Sequence, residues 1–283
     1  MRNNFDLSAA EYHADPAPEP SLSASIAHIL CNDSPLHAWT AHPRLNPQAV
    51  EEEKDIFDLG TVVHALLLEG TNVAEWLPFP DWRTNAAKAA RSTARAAGKI
   101  PILEKHRSGI EQMSISAWAQ LEHIEAHAFL PNLGKPEQTL IWQEENGPWC
   151  RARLDWLTND FKHIYDYKST GASANPEVVS RTLFGSGWDI QAAFYVRGLK
   201  AIAGTEATFQ FIVQENYPPY ALSMIALGPD VMMLAEKKVI YAIDLWRSCL
   251  ESGTWPGYPQ QTYFASLPPW EEERWLRREL NAS

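Results

Sequence analysis

Asp155, followed after ten residues by Asp166 and then Lys168, is a spacing with clear chemical potential. Asp166 and Lys168 sit two apart on an expected strand, so both side chains leave the same face. Asp155 lies near the end of the preceding strand, and a hairpin turning near Asn159 brings it alongside Asp166. Two carboxylates converging with one lysine suit metal-assisted phosphodiester hydrolysis. Hard Mg²⁺ takes oxygen ligands and keeps several waters. It lowers the pKa of a bound water and offsets charge on the phosphorane-like transition state. The lysine positions that water or adds positive charge near the scissile phosphate. The alternative is a surface hairpin in which Lys168 is an exposed ion-pair partner of the two aspartates.

The elements that must position these residues are legible in outline. Helices are expected over Ser23–Leu30, Leu59–Leu68, Asn85–Ala97 and Leu103–Phe129, the last with Ile110, Met113, Ile115, Trp118 and Leu121 apolar. Then Thr139–Trp142, Trp149–Leu157 and His163–Lys168 are short, β-rich and separated by turns, the pattern of an antiparallel meander. A helix over Asp189–Ala203, strands at Thr208–Val213 and Ala221–Ala226, and a helix over Asp230–Glu251 complete the order. The fold class is therefore α/β (α+β), a mixed central sheet with a meander, flanked by helices.

The 283 residues are 45% apolar and 21% charged, which fits one globular unit and excludes wholesale disorder. We expect an irregular N-terminal arm over 1–20 and a single domain over 21–283. Cys31, Cys150 and Cys249 lie far apart with no CxxC pair, as suits a reducing cytosol. No apolar leader and no run long enough for a membrane span is visible, so a cytoplasmic protein with no membrane partner is expected. A net charge of −11 argues against a protein coated in basic surface. Acidic runs such as Glu51–Glu53 and Glu271–Glu273 contrast with Asp81–Lys99, where Lys88, Arg91 and Arg95 are spaced as one helical ridge. Such a ridge would position a duplex through its phosphates, or simply solvate the helix. Trp82 and Trp188 could stack on a frayed base, while Trp118 and Trp246 fit core stripes.

With its neighbours the chain resembles the PD-(D/E)xK nuclease superfamily, in its RecB-like branch, and within that the exodeoxyribonuclease VIII (RecE-type) recombination exonucleases. Leu154-Asp155 and Asp166-Tyr167-Lys168 match the motif of the name, with Leu in place of Pro. Leu59, Gly60 and His64 look like the family's LGxxxH helix, and Gln191 with Tyr195 match its QxxxY signature. Leu22–Ser25 with Ser34-Pro35, Tyr12–Ala14, Arg83–Asn85, Thr254–Pro256 and Leu267–Trp270 resemble further landmarks, so the likeness runs from about residue 12 to 275.

The resemblance implies a PD-(D/E)xK core and a divalent cation, Mg²⁺ with Mn²⁺ as substitute. Its ligands would be His64, Glu137, Asp155, Asp166 and the Tyr167 carbonyl, with Glu144 and Glu145 as alternatives to Glu137. Lys168 would be catalytic, and Gln191 and Tyr195 would support the site and contact the DNA backbone. Gly60, one turn before His64, would leave room for the cofactor. Arg83, Thr84 and Asn85 would meet DNA. By spacing rather than by resemblance, Lys88 and Arg91 of the helical ridge, and Arg153, which alternates with Arg151 on the face of Asp155, are further candidates to meet it. Ser23 and Ser25 could present a helix N-terminus to a terminal phosphate, although simple N-capping comes first. Iron–sulfur relatives need four cysteines, so no cluster is expected.

The activity implied is sequence-nonspecific 5′→3′ digestion of linear double-stranded DNA, leaving 3′ single strands for a single-strand annealing recombinase. A ring-like homo-oligomer enclosing DNA ends is also implied. The alternatives are a nuclease of other polarity or endonuclease type, and an inactive DNA-end-binding module that keeps the fold.

Overall fold

The architecture is taken from a computed structural model, which describes residues 5–46, 48, 55–124 and 132–282. The expected acidic run Glu51–Glu53 lies outside the described residues, as do the side chains of 55–58. Within the N-terminal arm, α1 (Ala9–His13) is helical rather than irregular. Its capping box explains this: Ser8 Oγ accepts from the Glu11 N–H, and the Glu11 carboxylate accepts from the Ser8 N–H. Next come α2 (Ala24–Asn32) and α3 (Pro35–Ala41), then α4 (Asp55–His64), which runs into a π-helical turn at Ala65–Glu69.

A small parallel pair follows, β1 (Ala74–Leu77) and β2 (Ile100–Leu103), joined through α5 (Asn85–Ala96). The helix expected to begin at Leu103 starts later, as α6 (Arg107–Ile124). Ile100–Leu103 instead pairs with β1, and Pro101 has no N–H to continue a helix. The expected end of that helix, residues 125–129, lies outside the described residues. On α6 the buried stripe is Ile110, Met113, Ala117 and Leu121, so Ile115 and Trp118 fall off it and are exposed, against expectation.

The main sheet has five strands: β3 (Gly134–Gln143), β4 (Trp149–Thr158), β5 (His163–Thr170), β6 (Thr208–Glu215) and β7 (Leu222–Ala226), in that spatial order. The pairs β3–β4, β4–β5 and β6–β7 are antiparallel, while β5 and β6 run parallel. That parallel step needs a crossover, supplied by α7 (Pro176–Thr182) and α8 (Trp188–Ala203). The chain ends in α9 (Pro229–Ser252) and α10 (Pro269–Ala282).

Alternation along the strands divides the core between the two faces of the sheet. Phe211 and Val213 of β6 join Leu22, Leu154, Phe194 and Trp246 under α2, α8 and α9. Ile212 of the same strand joins Val62, Leu67, Ile110, Trp156 and Tyr167 under α4 and α6. Gly198 lets α8 lie close on β3, since a Cβ there would meet the Trp142 ring at 2.6 Å. Among the described residues, no helix is long and apolar enough to cross a membrane.

Candidate active site

The site forms where the sheet is least regular. β4 and β5 pair only at Trp156↔Tyr165 and Leu157↔Ile164, and the register carried one residue further sets Asp155 against Asp166. There the strands part. The Tyr167 N–H is donated to Asp155 Oδ2 at 2.9 Å, so the carboxylate satisfies a backbone donor freed by the splay. Across the other edge of β4, Pro136↔Trp156 and Gln138↔Leu154 flank Glu137 and Asp155, which form no ladder pair. Glu137 has a φ of 56°, a left-handed conformation that a glutamate adopts only under constraint from its surroundings. The core shows the same break: Leu154 and Leu157 pack under one face and Trp156 under the other, so the alternation of β4 slips around Asp155. Glu137, Asp155 and Asp166 thus stand in one row across three strands.

Two helices close on this row. His64, the last residue of α4, puts Nε2 3.4 Å from Glu137 Oε1 and 3.2 Å from Asp155 Oδ2. Gln191, in the first turn of α8, donates from Nε2 to Asp166 Oδ2 at 2.7 Å. Lys168 Nζ lies 2.5 Å from Asp166 Oδ1, an oxygen that makes no geometrically aligned hydrogen bond. Gly60 brings α4 against β5, since a Cβ there would meet Ser169 Oγ at 2.5 Å. Its smallness thus serves helix–strand approach, and Gly60 also lines the cleft where it was expected to leave room for a cofactor. Glu137 and Asp155 face a cleft of about 980 Å³, while Asp166 is fully buried and meets it only through Lys168 and Gln191. The lining includes Glu69, Arg153, Tyr167, Trp188 and Tyr195, and Ser8, Tyr12 and His13 of the arm.

Crowded carboxylates perturb one another here. Burial and then the Asp155 charge push Asp166 up, against the pull of Lys168. Burial also raises Asp155, but the His64 charge and hydrogen bond, Lys168 and the Tyr167 N–H hold it below the usual carboxylate range. Burial pulls the His64 imidazole down, yet Asp155, Glu137 and Asp166 outweigh it and raise it to about 9. Glu137 is raised, mainly by burial. Burial likewise opposes the charge on Lys168, but Asp166 and Asp155 keep its ammonium above its usual value. The pattern is an imidazolium held between carboxylates. Three carboxylates with one imidazole form an oxygen-rich donor set that suits a hard divalent cation such as Mg²⁺ or Mn²⁺. The residues that would hold it are His64, Glu137, Asp155 and Asp166.

Other expected site residues are placed differently. Ser23 is buried and caps α2, accepting from the Ile26 N–H at 3.4 Å, and Ser25 lies 3.0 Å from it. Neither lines the cleft, so the capping role stands and terminal-phosphate binding has no support. Arg151 is also withdrawn from the cleft. It donates to the Ser21 carbonyl (2.6 Å) and hydroxyl (2.8 Å) and lies over the Tyr12 ring. Arg153 lines the cleft but is held by Glu137, the Leu7 carbonyl (2.6 Å) and Thr139 Oγ1 (3.1 Å). Glu144 is committed elsewhere, to Trp142 and Arg197, and of the three candidates Glu137, Glu144 and Glu145 it is Glu137 that lines the cleft. Arg83, Asn85 and Lys88 are exposed around the start of α5, which Thr84 caps by accepting from the Ala87 N–H at 3.1 Å. Arg91 lies over the Trp82 ring at 5.3 Å. None of these α5 residues lines the cleft. Trp188, expected to stack on a frayed base, opens α8, stacks on Phe211 and lines the cleft. Periodicity gives no reason to single out Glu69 or the arm residues, because their approach to the site depends on tertiary contacts and an irregular turn.

The sequence profile of a PDDEXK-like domain of unknown function, DUF3799, matches residues 33–265. Among solved structures, a candidate exonuclease from Eubacterium rectale superposes with a TM-score of 0.63 and 13% identity, over 93% of this chain and 96% of that one. The protein SSO0001 aligns over 84% of this chain and 88% of its own at 9% identity, with a TM-score of 0.30. No curated protein matches the sequence at a significant level.

Proposed function

The chain belongs to the PDDEXK-like family DUF3799, and on that premise we propose that it is a divalent-metal-dependent deoxyribonuclease, using Mg²⁺ with Mn²⁺ as substitute. The observation that carries this reading is the row Glu137, Asp155 and Asp166, with His64 between the first two and Lys168 on the third. A cation held there would lower the pKa of a nearby water and offset charge on the pentacoordinate phosphate. The protein's own groups do the remaining work. Gln191 and Lys168 hold the two oxygens of Asp166, and the Tyr167 N–H fixes Asp155. The Lys168 ammonium, still partly accessible, is placed to orient the attacking water or to meet the scissile phosphate.

The finer reading is 5′→3′ exonucleolytic digestion of linear duplex ends without sequence preference. The products would be 3′ single strands for an annealing recombinase, made by a ring-like homo-oligomer. It is supported by the RecE-type motifs and by likeness in fold to the Eubacterium rectale candidate exonuclease. End-labelled linear duplex incubated with Mg²⁺ should shorten, and 5′- against 3′-blocked ends should separate the polarities. Intact substrate, or equal degradation by Asp166→Ala, would overturn the assignment.

A further inference from the structure

α4 does not end as an ordinary helix. After His64 the backbone widens into the π-turn Ala65–Glu69, closed by the Gly70 N–H donating to the Ala65 carbonyl five residues back. Gly70 adopts φ 63°, where glycine is least strained. The turn has a specific consequence for side-chain direction. On an α-helix, residues five apart are rotated by about 140°, so Glu69 would face largely away from His64. A π-turn takes more residues per turn, and the fifth residue returns toward the starting face. Leu67 and Leu68 stay in the core, while Glu69 comes round to the cleft. Ligand atoms of His64, Glu69 and Glu137 all lie within 4.8 Å of one another. Among the described residues Glu69 has no hydrogen-bond or ion-pair partner that would give its carboxylate a structural task. Single-turn π-bulges within helices often mark functional positions, and a carboxylate with no structural task, set beside Glu137 and His64, adds an oxygen donor suited to a hard cation.

We propose that Glu69 is a cation-ligating residue of this cleft, brought onto the His64 face by the π-turn. The inference rests on the metal-dependent reading above and adds a ligand to it from outside the row on the sheet. Direct binding of Mn²⁺, followed by calorimetry and by the electron paramagnetic resonance signal of the free ion, tests it without any turnover. Glu69→Gln should bind Mn²⁺ on the order of tenfold more weakly, or worse, than the wild type. Glu75→Gln removes an exposed carboxylate of β1 outside the cleft and should bind as the wild type does. Melting without metal should leave Glu69→Gln as stable as the wild type, while its Mn²⁺-induced rise in Tm should shrink. Wild-type protein that binds Mn²⁺ together with a Glu69→Gln variant within twofold of it would overturn this inference alone. Wild-type protein that binds no Mn²⁺ would overturn the metal-dependent reading with it.

Discussion

Asp15→Ala should loosen the arm that walls the cleft, and its cost can be worked from the contacts of one buried carboxylate. Asp15 has no exposed side-chain surface and accepts from the Ser21 N–H (2.9 Å) and hydroxyl (2.6 Å). His42 Nε2, Arg151 and Arg44 approach it at 3.3, 3.4 and 3.7 Å. Breaking a buried ion pair from one side typically costs roughly 3–5 kcal/mol, because the partner stays buried and uncompensated. Arg151 would keep both Ser21 bonds and the Tyr12 ring, so the lower end, about 3 kcal/mol, is expected. At roughly 2–4 °C per kcal/mol for a large domain, Tm should fall by about 6–12 °C. The loss should also depend on pH. Burial raises the Asp15 carboxyl, but the His42 hydrogen bond, the Arg151 charge and the Ser21 bonds outweigh it and hold it below the usual range. A depressed carboxyl contributes stability above the unfolded aspartate value of about 3.9, and loses it as pH falls through the lower folded value. Urea unfolding at pH 7 and at steps down to pH 3 measures both effects. A deficit under 1 kcal/mol at pH 7, or one that does not shrink in acid, would refute the reasoning.

Four further outcomes are expected. Asp166→Ala and Lys168→Met should each lower duplex cleavage on the order of a thousandfold, several kcal/mol of transition-state stabilisation, and near-wild-type rates would remove both from the chemistry. Gly60→Val should press on Ser169 beside Lys168, costing about 1–3 kcal/mol in a melt and lowering cleavage more than that loss of stability accounts for. Ser23→Ala should cost about 1 kcal/mol as a lost N-cap and leave DNA affinity unchanged, so weakened binding would restore a phosphate-binding role. Lys88→Ala should weaken duplex binding uniformly across sequences and reduce the salt slope by about one, whereas an unchanged slope would place the DNA path away from α5.

What the sequence disclosed and what it hid divide along a physical line. Period-two alternation locates β3 to β5, and a hairpin between them places Asp155 opposite Asp166. The buried stripe of α9 and the Gln191–Tyr195 spacing on α8 are just as local. The hidden parts depend on partners distant in sequence. β1 and β2 are four residues each and pair with one another, so nothing local marks either as a strand, and Leu103 at the end of β2 reads as the start of the helix that follows. The slip in β4 arises where Glu137 of one strand and Asp155 of another both abandon the ladder, and alternation within either strand does not encode that. Arg151 and Arg153 look equivalent in an alternating strand. Only the arm distinguishes them, because Ser21 and Asp15 take Arg151 while Arg153 reaches Glu137.

The charge of the cleft follows from the same contacts. A polyanionic substrate needs positive charge to meet it, and a chain with a net charge of −11 supplies little at large. Within the cleft, Arg153 is bonded to Glu137, Lys168 to Asp166, and the imidazole of His64 lies between Glu137 and Asp155. Each of these cationic groups is already neutralised by a carboxylate of the row, and Glu69 adds a further carboxylate, so the protein alone offers DNA a cleft with no net attraction. Affinity must then come from a cation added to the row, or from basic residues outside it such as those of α5. A gel-shift series with Ca²⁺, which takes oxygen ligands as Mg²⁺ does but more loosely, separates the two. If the row carries the affinity, chelation should abolish binding while Lys88→Ala leaves most of it. If α5 carries it, chelator should matter little and added salt a great deal.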